Sequence, residues 1–194
     1  MPRSFSGLFG LVLALAVVLG ADVGKVATMI DFRRGDELWP SINDGVMGGV
    51  SRGEMVRSSS GFASFRGTVS FDNNGGFASV RSRPEAHDLS GFDALRLRVR
   101  GDGKRYGFRL RTATSLDGVS YQVSISPPAG EWVELVLPLA DFEPVYRGRV
   151  VPDHPPLDPS KIRTFGLLIS RQEGPFRLDV DQVSAVATKP VGKS

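Results

Sequence analysis

Residues 94–111 read Ala94-Leu95-Arg96-Leu97-Arg98-Val99-Arg100-Gly101-Asp102-Gly103-Lys104-Arg105-Tyr106-Gly107-Phe108-Arg109-Leu110-Arg111. Leu95, Leu97 and Val99 alternate with three arginines. Tyr106, Phe108 and Leu110 then alternate with Arg109 and Arg111. Side chains of a strand point to opposite faces in turn, so apolar residues at period two mark a half-buried strand. Gly101-Asp102-Gly103 has hairpin chemistry and predicts that the two strands pair with each other.

Outward from this segment the same period recurs. Tyr121, Val123 and Ile125 carry it, then Val133, Leu135 and Leu137, closed by Pro138. Phe165, Leu167 and Ile169 form another strand. Phe176, Leu178 and Val180 form the last, running on towards Val186. Earlier strands are expected at 29–33, 52–58, 61–70 and 76–82. Asp72-Asn73-Asn74-Gly75-Gly76 and Pro127-Pro128-Ala129-Gly130 are tight connections, and 150–159 is a Pro-rich loop. Residues 160–163 allow one helical turn, and no segment reads as a long amphipathic helix. Many short alternating strands predict an all-β, antiparallel β-sandwich. One domain is expected over 29–188, with a disordered tail at 189–194.

The chain has 194 residues, 24 Lys+Arg against 21 Asp+Glu, and a formal net charge of +3. The charges are interspersed, whereas a nucleic-acid surface calls for a clustered basic stripe, so nucleic acid is not an expected partner. There are no cysteines, which removes disulfides, thiolate metal sites and cysteine nucleophiles together. At the N-terminus Arg3 precedes an apolar run from Leu8 to Leu19. A basic start and about a dozen apolar residues match a secretory signal peptide over 1–21, and the run is short for a membrane-spanning helix. Export to the periplasm is the expected location. A start at Met29 would instead leave the chain cytoplasmic. Membrane association is expected only through an uncleaved leader.

No catalytic set emerges. The two histidines, His87 and His154, lie in Pro- and Asp-containing loops without a second ligand at metal spacing. No G-x-S-x-G, phosphate loop or dinucleotide fingerprint is present. Asp36-Glu37, Asp179 and Asp181 could in principle flank a glycosidic bond, and Asp179 and Asp181 share a strand face; a solvated strand face is the simpler expectation. Asn43-Asp44 and Asp72-Asn73-Asn74 offer oxygen ligands for calcium, but Asn/Asp beside Gly is ordinary turn chemistry. No metal and no cofactor is expected.

Residues 39–51, Trp39-Pro40-Ser41-Ile42-Asn43-Asp44-Gly45-Val46-Met47-Gly48-Gly49-Val50-Ser51, form a constrained glycine-rich loop. With Phe65-Arg66-Gly67, Asn74-Gly75-Gly76-Phe77-Ala78-Ser79-Val80-Arg81, Gly91-Phe92-Asp93-Ala94-Leu95 and Pro138-Leu139-Ala140-Asp141-Phe142, this loop resembles the complex I intermediate-associated protein 30 family. The resemblance runs through nearly all of 29–183. It implies a galactose-binding-like jelly roll and a non-catalytic accessory role in assembling a membrane or envelope protein complex. The loop residues Trp39, Asn43, Asp44, Gly45, Met47, Gly48, Gly49, Asn74, Gly75, Gly76 and Phe77 carry the match.

The candidate binding residues are Arg96, Arg98, Arg100, Arg109 and Arg111. If the intervening apolar residues face a core, all five point outward, and across a hairpin they would share one positive sheet face. Arginine suits carboxylate and phosphate groups, so a protein partner is expected. A carbohydrate-binding module using the open sheet face is the alternative, and exposed aromatic rings on that face would mark it. Trp39 and Trp132 are expected to be buried anchors, because an indole buries a large apolar area.

Overall fold

The computed structural model describes residues 23–115 and 117–188. The expected leader (1–21) and tail (189–194) lie outside them. Twelve strands and short 3-10 turns make up the described chain. The strands are β1 (Val23–Asp31), β2 (Arg52–Arg57), β3 (Ala63–Val69), β4 (Phe77–Arg81), β5 (Ala94–Arg100) and β6 (Tyr106–Arg111). They continue as β7 (Ser120–Ile125), β8 (Trp132–Pro138), β9 (Glu143–Tyr146), β10 (Arg149–Val150), β11 (Thr164–Ser170) and β12 (Gly174–Thr188).

They form two six-stranded antiparallel sheets. Sheet A runs β2-β3-β12-β5-β8, with β1 also paired to β12, and sheet B runs β10-β9-β7-β6-β11-β4. The alternating apolar residues of both sheets meet in one core. Phe65, Leu95, Leu97, Val99, Leu178 and Val183 of sheet A face Val80, Phe108, Leu110, Phe165, Leu167 and Ile169 of sheet B, all essentially buried. This is the sandwich that period two predicts. β1 begins at Val23, earlier than the expected strand at 29–33, and its Val26–Thr28 segment pairs with Ser184–Val186 of β12. Strands β9 and β10 were not legible, because Pro144 and the Arg147-Gly148 turn interrupt any alternation there.

The expected β5–β6 hairpin does not form. β5 pairs with β12 and β8, whereas β6 pairs with β7 and β11. Gly101-Asp102-Gly103 carries the chain from one layer to the other. Gly101 bridges Ala129, and the Asp102 carboxylate accepts the N–H groups of Lys104 at 3.0 Å and Arg177 at 2.8 Å. Two strands with the same inward alternation can lie side by side in one sheet or face each other across the core, and here they face each other. Their outward residues therefore point in opposite directions.

Candidate functional site

The five arginines consequently divide. Arg96, Arg98 and Arg100 stand on the outer face of sheet A, and Arg109 and Arg111 on that of sheet B.

On sheet A the central strand β12 supplies carboxylates. Asp179 lies opposite Arg100 on β5 and Ser64 on β3. Only 2% of Asp179 is exposed. Its Oδ2 accepts Arg100 Nε at 2.9 Å and a terminal nitrogen at 2.6 Å; its Oδ1 accepts Arg177 Nε at 2.9 Å and the Ser64 hydroxyl at 2.5 Å. Burial alone would raise the Asp179 pKa, but Ser64, Arg177 and Arg100 outweigh it and hold the carboxyl below its ordinary value. Asp181, in a register shift of β12, pairs with Arg98 and is equally buried. Asp31 pairs with Arg33, 3.1 Å away, and Arg34, 3.4 Å away. The expectation that Asp179 and Asp181 lie on a solvated face is therefore wrong: arginine side chains cover them. Arg96 has no carboxylate partner among the described residues.

Trp132 departs from expectation in the same region. Trp39 is buried against the Phe32 ring, centroids 5.8 Å apart. Trp132 stands half-buried on the outer face, 4.9 Å from the Arg98 guanidinium and 5.1 Å from that of Arg100. Arg100 also lies 5.2 Å from the Phe62 ring, so it is stacked as well as paired. These groups line a hollow of about 380 Å³ with Arg33 and Asp181. Asp181 Oδ1 is buried there without a hydrogen-bond partner among the described residues.

Sheet B differs. A single row crosses it: Arg81 on β4, Gly166 on β11, Arg109 on β6, Gln122 on β7 and Glu143 on β9. Arg109 Nε donates to Gln122 Oε1 at 2.7 Å, and Arg111 donates to the Gly118 carbonyl at 3.0 Å. Neither arginine forms an ion pair among the described residues. Burial, then the guanidinium groups of Arg111 and Arg81, pull the Arg109 pKa down to about 10. Burial and Arg81 likewise lower Arg111, with Asp117 opposing them. Sequence reasoning missed Arg81, although Ala78 and Val80 facing the core put it outward. It also missed Gly107, Gly166 and Gln122, which matter only through cross-strand register.

The glycine-rich loop is built around Asp44, which is fully buried. Its Oδ1 accepts Ser51 N–H at 3.0 Å; its Oδ2 accepts Gly76 N–H at 2.7 Å and Phe77 N–H at 3.2 Å. Asn43 binds the Gly53 carbonyl and Ser79 N–H, tying the loop to β2 and β4. Asp44 thus spends its oxygens on backbone donors. Of the loop glycines, Gly48 has φ of 89°, where glycine is favoured. Gly49 is required for another reason, since a Cβ there would stand 2.4 Å from the Asp44 carboxylate carbon. Gly45 has open space beside it. Met47 is exposed, and Asn74, Gly75 and Gly76 form the opposing turn, with Asn74 at φ of 58°.

The histidines stay apart. His87 is half-buried with its ring 5.1 Å from Phe165, and burial lowers its pKa; His154 Nδ1 lies 3.2 Å from the Tyr121 hydroxyl. Among the described residues no three His, Cys, Asp or Glu side chains gather as a metal site.

Comparison with known proteins agrees with this architecture. A family model described as Complex I intermediate-associated protein 30 matches residues 30–180. An uncharacterized protein of Schizosaccharomyces pombe is 28% identical over 167 residues, covering 75% of this chain and 76% of its own length. The mitochondrial Complex I intermediate-associated protein 30 of Drosophila melanogaster is 25% identical over 185 residues, covering 82% of this chain. The present chain spans 62% of the fly protein's length. The family 11 carbohydrate-binding module of a cellulosomal cellulase from Clostridium thermocellum superposes with a TM-score of 0.67 at 17% identity, covering 89% of this chain and 99% of the module. That likeness fixes the fold as a galactose-binding-like jelly roll and leaves the ligand to the site itself.

Proposed function

The chain belongs to the complex I intermediate-associated protein 30 family, and from that premise we propose that it is a non-catalytic binding protein that assists assembly or stability of a membrane protein complex. The outer face of sheet B is its contact surface, and an acidic patch of a protein is its partner. One observation carries this reading. Arg109 and Arg111 stand half-buried on that face with no carboxylate partner among the described residues, an arrangement that costs stability unless something anionic covers it. The arginines of sheet A leave less to recognise, because Asp179 and Asp181 already occupy Arg100 and Arg98.

The row across sheet B offers Arg81, Gly166, Arg109, Gln122 and, at its β9 end, Glu143, and no aromatic ring. Sugar-binding faces rely on rings for stacking, so on sheet B the protein-partner reading is favoured, and the carbohydrate-binding alternative belongs to the outer face of sheet A, where Trp132 and Phe62 line a hollow. An exported chain with a leader at 1–21 would meet its partner at a membrane surface, and the mature N-terminus should then lie near residue 21 or 22.

The test is genetic and biochemical together. Cells lacking the chain should contain less assembled complex I on native gels of their membranes. The wild-type chain should restore it, and the Arg109→Gln/Arg111→Gln double variant should not. Unchanged amounts of assembled complex in the deletion would overturn the reading.

A further inference from the structure

We infer that the outer face of sheet A carries a second binding site, the hollow walled by the rings of Trp132 and Phe62 and by Arg33, Arg98, Arg100 and Asp181, and that it takes a neutral saccharide ring. This site lies on the sheet opposite the proposed contact surface and does not depend on it.

The strands bring the two rings together. Leu135 and Leu137 of β8 point into the core, so Trp132 points outward, opposite Arg100 on β5. Phe62 comes from the turn between β2 and β3. There Ser58 N–H donates to the Phe62 carbonyl at 2.8 Å and Gly61 N–H to the Ser58 carbonyl at 3.2 Å. Gly61 has φ of 84°, where glycine is favoured. In the sheet β12 and β5 lie between β3 and β8, and the rings meet above them with centroids 5.4 Å apart and planes at 73°. An edge-to-face pair makes a corner rather than a stack, and both rings stay only half-buried.

Polar groups line the rest of the hollow. Arg98 gives one terminal nitrogen to Asp181 Oδ2, and Arg100 gives Nε and one terminal nitrogen to Asp179 Oδ2. A guanidinium has five N–H donors, so each keeps a terminal nitrogen to donate from. Asp181 is 2% exposed, and its Oδ1 has no hydrogen-bond partner among the described residues. A buried acceptor in that state costs stability and calls for a donor. Arg98, bonded to the other oxygen, keeps 40% of its side chain exposed, so a turn of its guanidinium opens Oδ1 to the hollow.

Charge sets the class of ligand. Arg33 pairs with Asp31, Arg98 with Asp181 and Arg100 with Asp179. Each cation is matched by a carboxylate, so neither an anion nor a cation gains much by entering. A purely apolar ligand would leave the guanidinium nitrogens and Asp181 Oδ1 unmet. A sugar ring satisfies both kinds of wall. Its C–H face lies against an aromatic ring, and its hydroxyls accept from arginine and donate to the carboxylate. The hollow of about 380 Å³ falls within the usual span of small-ligand sites, roughly 300–1,000 Å³.

The experiment is titration of the full chain with cellobiose, maltose, lactose and chitobiose, read by calorimetry and by tryptophan emission. The chain has two tryptophans, and Trp39 is buried against Phe32, so a shift in emission reports Trp132. Saturable binding of at least one sugar, with shifted emission and an affinity that salt does not change, is the expected result, because a neutral ligand is not screened. Trp132→Ala should weaken binding about tenfold or more, since a ring of this size dominates the contact. Phe62→Leu should weaken it several-fold, whereas Arg66→Gln, outside the hollow, should leave it unchanged. If Trp132→Ala does not fold, Phe62→Leu serves in its place. Absence of saturable binding by all these sugars overturns the site, as do loss of binding at high salt and wild-type affinity in the folded ring variant. The site and the accessory role fail separately. Absent sugar binding with complex assembly still dependent on the chain removes only the site. Saturable binding in a chain whose deletion leaves assembly intact removes only the accessory role.

Discussion

On sheet A, Arg98 and Arg100 cover the buried carboxylates of Asp181 and Asp179, whereas on sheet B Arg109 and Arg111 meet no carboxylate among the described residues and Arg109 stands opposite a glycine. The two strands concerned, β5 and β6, have the same alternation of apolar residue and arginine. What separates them is the neighbouring strand. β12 places Asp179 opposite Arg100, and β11 places Gly166 opposite Arg109. An arginine with its carboxylate supplied by the fold is part of the fold. An arginine that is half-buried without one is a standing cost, and such costs gather where a ligand is to be met. The chemistry of a strand face is thus decided by pairs across the ladder.

If this contrast holds, the largest effect belongs to the carboxylate that serves most partners. Asp179→Ala should cost about 3 kcal/mol, near the lower end of the range for breaking a buried ion pair because Arg100 and Arg177 keep some water. Denaturant unfolding measures it, and a loss under about 1 kcal/mol would erase the distinction between the faces. Acid should reveal the same group. Asp179 and Asp31 titrate below the ordinary value of 3.8 in the folded chain, so the unfolded chain takes up protons first as pH falls. Their stabilisation should be complete above about pH 5 and lost as pH drops through the folded values. Asp179→Ala should have a flatter stability profile below pH 5 than wild type.

A smaller effect is expected from the cation. Arg100→Met should destabilise by about 1–2 kcal/mol through the lost bonds to Asp179 and the lost stacking on Phe62 and Trp132. The matching change on sheet B should have the opposite sign. Arg109→Met, in buffer free of multivalent anions, should stabilise by up to about 1 kcal/mol, because a half-buried cation without a carboxylate is removed. With its folded pKa pulled down to about 10, below its unfolded value, Arg109 makes the folded chain bind fewer protons as pH rises past that point, so its penalty is full at neutral pH and eases as pH rises through the folded value. Equal destabilisation by Arg100→Met and Arg109→Met would break the comparison. Arg66→Met should sit at the baseline, within about 0.5 kcal/mol, because its pair with Glu54 is exposed on both sides.

The strands and the sandwich were legible because period two survives in Leu95, Leu97 and Val99, in Phe108 and Leu110, and in Leu135 and Leu137. The assignment of strands to sheets was not, because β5 and β6 read alike whether they pair or face each other. Trp132 was legible and misjudged. Alternation with Val133 and Leu135 puts it outward beside Glu134, against the general preference of indole for a core. The burial of Asp181 was beyond reach, since it depends on a register shift in β12 and on an arginine from a strand far away in sequence. Arg109 and Arg111 were found as candidates, but their companion Arg81 lies on a strand joined to theirs only through β11.

The position of β12 also has a consequence in time. It is the central strand of sheet A, held by β3 and β1 on one side and β5 on the other, yet ribosomes make it after every other strand described. β3 and β5 do not pair with each other, so until synthesis reaches the segment from Gly174 to Thr188 both keep an unpaired edge towards the gap between them. Open edges of this kind recruit other chains. The nascent protein is therefore most vulnerable to misassociation just before β12 emerges, and a truncation that removes β12 should leave an aggregating chain rather than a smaller domain.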